Sequence, residues 1–253
     1  MTTALDGVRG KLEQLRLGSF SQALGRLSET DTAEAQRLAG HLERMADQEL
    51  AWRHDRAVQR RIQEARFVEI KTIDTFDFED SGATRKLKGR YLKLHRTDVA
   101  AEHLSSVFYG ATGLGKTHLA KALGYAACQR NQWVLYESCA KLLNTLVAAE
   151  ATKDLERAVR RYVSPALLVL DEVGYVTMSV TEANLFFQVI SRRHEHRRPC
   201  VLTTNKPFNE WNQVFHGDAT AHVIVDRLTE RAEIFALEGE SYRKRHRQGL
   251  GGS

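Results

Sequence analysis

An eight-residue segment of this chain has the residue types and the spacing of a phosphate-binding loop. Residues 110–117 match the pattern GxxxxGK[ST], with an apolar stretch before the glycines and a helical stretch beginning at the lysine. Glycines let backbone N–H groups turn towards phosphate oxygens, and the start of the helix adds the positive end of its dipole. The residues predicted to contact a nucleotide are Gly110, Ala111, Thr112, Gly113, Leu114, Gly115, Lys116, Thr117 and His118.

Two side chains at the end of this segment have distinct predicted roles. Lys116 would reach the β- and γ-phosphates of ATP, and the hydroxyl of Thr117 would be a ligand of Mg²⁺. The alternative is a glycine-rich turn with an exposed lysine. The strand before the glycines and the helix after them disfavour that alternative, because a simple turn needs neither. The segment therefore predicts ATP and Mg²⁺ as cofactors.

Two carboxylates follow a second apolar stretch, Ala166–Leu170. A run of this kind predicts a strand buried on both faces, and ligands of parallel sheets gather at the carboxyl ends of strands. We predict that Asp171 binds the magnesium ion through a water molecule and that Glu172 activates the water that attacks the γ-phosphate. The alternative is an acidic turn after a core strand.

Two further polar residues are candidates for a role in hydrolysis. Asn205 follows the apolar run Cys200–Thr204, where its amide could position the lytic water, although an Asn also suits the turn before Pro207. Arg227 could reach the γ-phosphate bound by a neighbouring subunit, or it could be a surface salt-bridge residue. Together with Glu172 these residues favour an enzyme that hydrolyses ATP over a small-molecule kinase or a binding module without activity.

The elements that must position these residues alternate between β-rich runs and amphipathic stretches. This alternation predicts an α/β fold with a parallel five-stranded sheet between helices. The predicted strands are Val107–Gly110, Trp133–Glu137, Leu167–Asp171, Cys200–Thr204 and Glu233–Leu237. The predicted helices lie near Lys116–Arg130, Ala140–Ala149, Lys153–Tyr162, Thr181–Arg193 and Ala219–Arg231.

The first part of the chain shows helical spacing without strand-like runs. Apolar residues share one predicted helix face at Leu17, Phe20, Leu24 and Leu27 and another at Leu38, Leu42, Met45 and Trp52. Asp31 or Thr32 is the predicted N-cap of the second helix. The predicted domains are a helical N-terminal domain at 1–70, a basic linker with a leading helix at 71–104, an ATPase domain at 105–248 and a flexible tail at 249–253.

Composition bounds the class of protein. The chain has 253 residues, a net charge of +5 and a pI near 9.1, which weakly favour a polyanionic partner. Its three cysteines have no metal-binding spacing, so we expect reduced thiols in a cytoplasmic protein. No apolar run reaches the roughly 18 residues of a membrane span, and membrane partners are not expected.

Three basic stretches are candidates for contact with DNA. The first contains Arg53, Arg56, Arg60 and Arg61, and the second contains Arg85, Lys86, Lys88, Arg90 and Lys93. The third is Arg243–Arg247. Solvated helix faces or basic arms are the alternatives for each stretch. No base-reading motif accompanies them, so we predict contacts to the backbone with little sequence preference.

Several signatures, from the phosphate-binding loop and from beyond it, resemble one family. The stretches that carry the resemblance include 115–120 (GKTHLA), 170–175 (LDEVGY), 186–193 (FFQVISRR), 203–211 (TTNKPFNEW), 226–228 (DRL) and 239–243 (GESYR). Further matches are 64–67 (EARF) and 75–78 (TFDF). Together they resemble the IstB-like ATP-binding proteins, AAA+ helper ATPases of insertion-sequence transposition that are related to DnaC-type helicase loaders.

This resemblance implies a fold and a function. It implies an AAA+ core without a C-terminal helical lid, preceded by a small all-α domain. It also implies ATP-dependent homo-oligomers on duplex DNA and a cognate transposase that the protein directs to a target site. Asn205 would correspond to sensor 1, Arg227 to the arginine finger and Arg243 to a nucleotide-sensing residue. A replicative helicase loader that binds single-stranded DNA is the alternative function.

Overall fold

The structure is a computed structural model that describes residues 4–215, 218–239 and 242. The chain divides into two compact units, residues 1–59 and 60–253. The predicted tail at 249–253, Arg243 and the basic stretch that begins there lie outside the described residues.

The first unit is helical. It contains α1 (Ala4–Gln14), α2 (Gly18–Thr30) and most of α3 (Thr32–Glu64), which continues past the unit boundary. Asp31 caps α3, because its carboxylate accepts a 2.9 Å hydrogen bond from the backbone N–H of Glu34. One of the two N-caps predicted from the sequence is thereby confirmed.

The buried face of α3 differs from the predicted one. Met45 and Trp52 are 65% and 52% exposed, whereas Ala35, Ala39 and Ala46 are buried. Similarly, Phe20 of α2 is 55% exposed. The helix packs through its alanines because small side chains allow a close approach of backbones, so the larger apolar residues remain on the surface. The predicted apolar faces were wrong in these positions.

The second unit contains a five-stranded parallel sheet, as predicted. Its strands are β1 (Ser105–Gly110), β2 (Val134–Ser138), β3 (Leu167–Val173), β4 (Cys200–Thr204) and β5 (Ala232–Leu237). They lie in the order β2-β3-β4-β1-β5. The order places β3 and β4 beside each other and β1 beside β4, so residues that follow these three strands meet at one edge of the sheet.

Helices cover both faces of this sheet. On each face, a buried apolar cluster lies between the helices and the sheet. They are α4 (Gly82–Arg96), α5 (Lys116–Gln129), α6 (Cys139–Ala151), α7 (Leu155–Val163), α8 (Val180–Glu195), α9 (Trp211–Val214) and α10 (Asp218–Thr229). The five helical stretches predicted in this region are confirmed. No helix in the part of the chain that the structure describes combines the length and the hydropathy needed to cross a bilayer.

The basic segment around α4 packs as part of the core. Ser81 and Thr84 form a reciprocal capping box at the start of the helix. Leu87, Tyr91 and Leu94, at helical spacing, are buried in the same cluster as α5 and the sheet. The sequence predicts a linker here because the stretch is rich in basic residues. The three apolar side chains that lie among these basic residues instead anchor the helix to the sheet.

Candidate nucleotide site

The phosphate-binding loop has the backbone conformation that its glycines allow. Gly110 and Gly115 have φ angles of 145° and 87°. A Cβ atom on Gly115 would lie 2.6 Å from the ring of Phe76, and a Cβ atom on Gly110 would overlap the carbonyl oxygen of Leu237. Both positions therefore require glycine, for conformation and for space.

Lys116 is buried within this loop. Its ammonium donates 2.8 Å hydrogen bonds to the carbonyl oxygens of Gly110 and Ala111. Burial lowers the pKa of Lys116, and the negative charges of Asp171 and Glu172 oppose that shift. The loop thus holds a cation at its centre whose hydrogen bonds to carbonyls can be exchanged for bonds to phosphate oxygens.

The predicted metal ligands are brought together by the sheet. Thr117, at the start of α5, donates a 2.9 Å hydrogen bond to Oδ1 of Asp171, at the end of β3. Thr203 of β4 donates to the same oxygen, and Tyr136 of β2 donates to Oδ2 at 2.7 Å. A buried carboxylate beside a hydroxyl is a donor set that fits Mg²⁺.

Glu172 occupies a strained position next to Asp171. Its φ angle is 63°, and its backbone N–H leaves the strand ladder to donate a 2.9 Å hydrogen bond to Thr203 Oγ1. The register between β3 and β4 shifts at this point, between Leu170 and Val173. A bulge re-aims side chains, and here Glu172 is exposed and lines the same cavity as Lys116 and Thr117.

Asn205 follows β4, the strand next to β3. Its Oδ1 atom is buried and has no hydrogen-bond donor among the described residues. The side chain does not line the cavity that contains Lys116. An orphaned buried acceptor is costly, so this oxygen fits a water molecule or a ligand-bound water as its partner.

The opposite wall of the cavity comes from the segment before α4. The cavity has a volume of about 540 Å³, and this wall includes Lys71, Thr75 and Phe76. Nε2 of His118 donates a 2.8 Å hydrogen bond to the carbonyl oxygen of Thr72, and its ring lies 5.1 Å from that of Phe76. Burial lowers the pKa of His118. The predicted nucleotide residue His118 therefore joins the loop to this wall.

The site contains residues that sequence reasoning did not assign. Tyr136, Thr203 and Phe76 all contact predicted site residues. In the sequence, the stretch 75–78 stands out only as a family signature. Tyr136 carries no sequence signal, because its contact with Asp171 depends on the pairing of β2 with β3.

Tyr242 also borders the cavity. Its backbone N–H donates a 3.0 Å hydrogen bond to the carbonyl oxygen of Gly113. The segment that follows β5 thus reaches the phosphate-binding loop at this residue.

Arg227 lies away from these residues. It is on α10, its guanidinium carbon lies 4.9 Å from the centre of the Phe187 ring, and its Nη1 is buried without an acceptor among the described residues. It lines a separate cavity together with Ser105 and Cys200, the first residues of β1 and β4. The phosphate-binding loop begins at Gly110, the last residue of β1, so Arg227 is at the other end of the sheet.

The predicted DNA-binding residues of α3 are mostly engaged with neighbours. Arg53 pairs with Glu49 at 2.7 Å, and Arg56 lies over the ring of Trp52. Arg60 and Arg61 both pair with Glu64, at 4.0 and 2.9 Å. These arginines are surface cations with local partners.

The predicted DNA-binding residues of α4 fall into two groups. Arg85 and Lys88 share the carboxylate of Glu79, and Arg90 pairs with Glu233 of β5 at 2.6 Å. The other group consists of exposed lysines that have no hydrogen-bond or ion-pair partner among the described residues. It comprises Lys86 and Lys93.

Comparison with known proteins identifies relatives that align with most of the chain. Residues 10–249 match the family described as "IstB-like ATP binding protein". A protein described as an ATP-binding protein of insertion sequence IS5376 in Geobacillus stearothermophilus is 35% identical over 205 residues, which cover 81% of this chain and 80% of the relative. Its counterpart for IS232 in Bacillus thuringiensis is 31% identical and covers 92% of both chains.

Solved structures show the same fold. The crystal structure of the DnaC helicase loader has a TM-score of 0.58 at 19% identity, over 66% of this chain and 96% of that one. AMPPCP-bound DnaA from Aquifex aeolicus has a TM-score of 0.57 at 19% identity, over 71% and 54%. The sheet order, the phosphate-binding loop and these matches lead to one conclusion: the chain belongs to the family of IstB-like ATP-binding proteins, and its core has the fold seen in DnaC.

Proposed function

We propose that this protein is a DNA-dependent ATPase that assembles on duplex DNA with ATP and recruits a transposase to a target site. The observation that carries the ATPase part is the cluster around Asp171. Its carboxylate accepts hydrogen bonds from Thr117 and Thr203, while the adjacent Glu172 faces the cavity next to Lys116.

Each residue of the cluster has a role in this proposal. Lys116 and the N–H groups of the loop bind the β- and γ-phosphates of ATP. Thr117 directly, and Asp171 through a water molecule, would hold Mg²⁺, which would neutralise charge on the phosphates. Glu172 accepts a proton from the attacking water. Asn205, which follows the strand next to β3, is the proposed residue that positions this water from behind the cavity wall.

The position of Arg227 favours assembly. It lies at the end of the sheet opposite the phosphate-binding loop, so it cannot reach the nucleotide of its own chain. We propose that it contacts the γ-phosphate bound by a second copy, which makes the homo-oligomer form through its ATP sites. ATP binding would then promote assembly, and hydrolysis would release it.

Exposed cations and the relatives support the proposed partners. Lys86 and Lys93 have no partner among the described residues and are available to DNA phosphates. The relatives from Geobacillus stearothermophilus and Bacillus thuringiensis are described as ATP-binding proteins of insertion sequences. A transposase is the protein partner that such a genetic element supplies.

The proposal is tested by steady-state ATP hydrolysis without DNA, with duplex DNA and with single-stranded DNA. We expect stimulation by duplex DNA and a loss of about 10²-fold or more in the Glu172→Gln variant, which removes the general base. Stimulation by single strands alone would favour a helicase loader instead, a function to which the DnaC-like fold is suited. Hydrolysis that responds to neither form of DNA would contradict the proposal.

A further inference from the structure

A second lysine of α5 lies in the nucleotide cavity, and the proposed ATPase chemistry does not use it. Lys121 lines the cavity together with Lys116 and Thr117, although only 9% of the residue is exposed. It follows Thr117 by four residues, so the two side chains lie on the same face of the helix. That face carries the hydroxyl that is bonded to Asp171.

The ammonium of Lys121 packs against an aromatic ring. It has no hydrogen-bond or ion-pair partner among the described residues, and the carboxylate of Glu69, which lines the same cavity, pairs with Lys71 instead. Its Nζ atom lies over the ring of Tyr136, 4.9 Å from the ring centre. A cation over the face of an aromatic ring is attracted to it, and more strongly when the cation is removed from water. The ring of Tyr136 is therefore the contact that compensates this charge.

The same ring orients the proposed metal-binding carboxylate. The hydroxyl of Tyr136 donates a 2.7 Å hydrogen bond to Oδ2 of Asp171. Phe67 also packs against the ring, with 5.6 Å between the ring centres. A cation over the ring draws electron density from it, which strengthens the phenol as a hydrogen-bond donor. Lys121, Tyr136 and Asp171 thus form a connected series that runs from α5 through β2 to β3.

We propose that Lys121 is a positioning residue for Asp171, which it orients for Mg²⁺ through the ring and the hydroxyl of Tyr136. This inference rests on the proposed ATPase function and deepens it at the metal site. A lysine that bound phosphates directly would change nucleotide affinity with or without Mg²⁺, whereas a positioning lysine changes only the dependence on Mg²⁺. The geometry favours positioning, because Lys116 already supplies a cation at the centre of the loop.

Removal of the charge from this side chain tests the assignment. Methionine keeps most of the length and the helix propensity of lysine, so Lys121→Met should fold as the wild type does. We expect it to raise the Mg²⁺ concentration for half-maximal binding of a fluorescent ATP analogue by about fivefold, while the Kd measured in EDTA stays unchanged. Lys121→Arg keeps a cation beside the ring and should stay within about twofold of the wild type.

A double-mutant cycle tests whether Lys121 acts through the tyrosine hydroxyl. Tyr136→Phe keeps the ring and removes the donor, so Lys121→Met in that background should change the Mg²⁺ dependence by less than about twofold. Lys153→Met replaces an exposed lysine that does not line the cavity and should match the wild type.

Four results would overturn the inference. The first is a Lys121→Met variant that matches Lys153→Met, and the second is a Lys121→Arg variant as impaired as Lys121→Met. A higher Kd in EDTA for Lys121→Met would assign the lysine to direct contact with phosphates, and additive effects in the cycle would exclude action through Tyr136. A wild type that binds the nucleotide without hydrolysing ATP would contradict the proposed function, whereas the Mg²⁺ titrations would still decide the role of Lys121.

Discussion

The hydroxyl of Tyr136 on β2 donates a 2.7 Å hydrogen bond to Oδ2 of Asp171 on β3. Burial and the neighbouring carboxylate of Asp171 raise the pKa of Tyr136, so the phenol stays protonated and remains a donor. Thr117 and Thr203 occupy the other carboxylate oxygen. The orientation of the proposed magnesium-binding carboxylate is therefore set by three different elements of the fold.

Replacement of Tyr136 by phenylalanine tests this support. We expect Tyr136→Phe to raise the Mg²⁺ concentration needed for half-maximal nucleotide binding by about tenfold, because groups that orient metal ligands contribute on that scale. Fluorescent-nucleotide titrations with and without Mg²⁺ measure the effect. Tyr125→Phe, a residue without a hydroxyl hydrogen bond among the described residues, is the matched control. Equal Mg²⁺ dependence in the two variants would contradict the assignment.

Two glycine-to-alanine substitutions should have different effects, one on nucleotide binding and the other on stability. Gly115→Ala places a Cβ atom 2.6 Å from the ring of Phe76 in a backbone with positive φ, so we expect loss of nucleotide binding. Gly89→Ala lies within α4 with nothing within 4 Å, and it should stabilise the protein by up to about 1 kcal/mol through helix propensity. Urea unfolding and nucleotide titrations of both variants check the pair; unimpaired binding by Gly115→Ala would refute the packing argument.

The unpaired amide oxygen of Asn205 predicts a defect in turnover. Removing the amide in Asn205→Ala should lower kcat for ATP hydrolysis by about 10²-fold with little change in KM, because in the proposed mechanism the residue orients water and does not bind the nucleotide. Initial rates over a range of ATP concentrations separate the two parameters. A rise in KM at constant kcat would place Asn205 in binding instead.

The effect of removing a positive charge from α4 should depend on whether that side chain already has an ion-pair partner. The double variant Lys86→Gln/Lys93→Gln should bind duplex DNA more weakly, and the slope of log affinity against log salt should fall by about two. Arg90→Gln should instead destabilise the second unit, since its guanidinium pairs with Glu233 and lies 5.0 Å from the ring centre of Phe235. Fluorescence anisotropy at several salt concentrations and thermal unfolding distinguish the effects. An unchanged salt slope in the double variant would remove α4 from the DNA interface.

His118 predicts a contribution to the pH dependence of stability. Burial lowers its folded-state pKa below the ordinary 6.5, so the unfolded chain binds the proton first as the pH falls. Stability should therefore decline below about pH 6.5, and less steeply in His118→Gln. The pKa of His95 is also lowered by burial, and because it remains in both proteins, the difference isolates His118. Urea unfolding between about pH 7.5 and 5.5 provides the comparison; parallel curves would exclude the contribution.

The sequence alone was sufficient to predict those features that depend on neighbouring residues in the chain. The glycines and lysine of 110–117, the apolar run that ends in Asp171 and Glu172, and the alternation of strands and helices are all short-range patterns. Backbone sterics and hydrophobic periodicity act over a few residues, so such patterns predict the phosphate-binding loop and the elements around it.

Tertiary structure decided which side chains meet. The contact of Tyr136 with Asp171 needs the pairing of β2 with β3, and the wall formed by Phe76 needs a segment far from the loop in sequence. The many charged residues of α4 gave no indication that Leu87 and Tyr91 are buried. In α3, alanines are buried while larger apolar residues remain exposed. Sheet register and close packing depend on long-range contacts, which spacing along one chain does not encode.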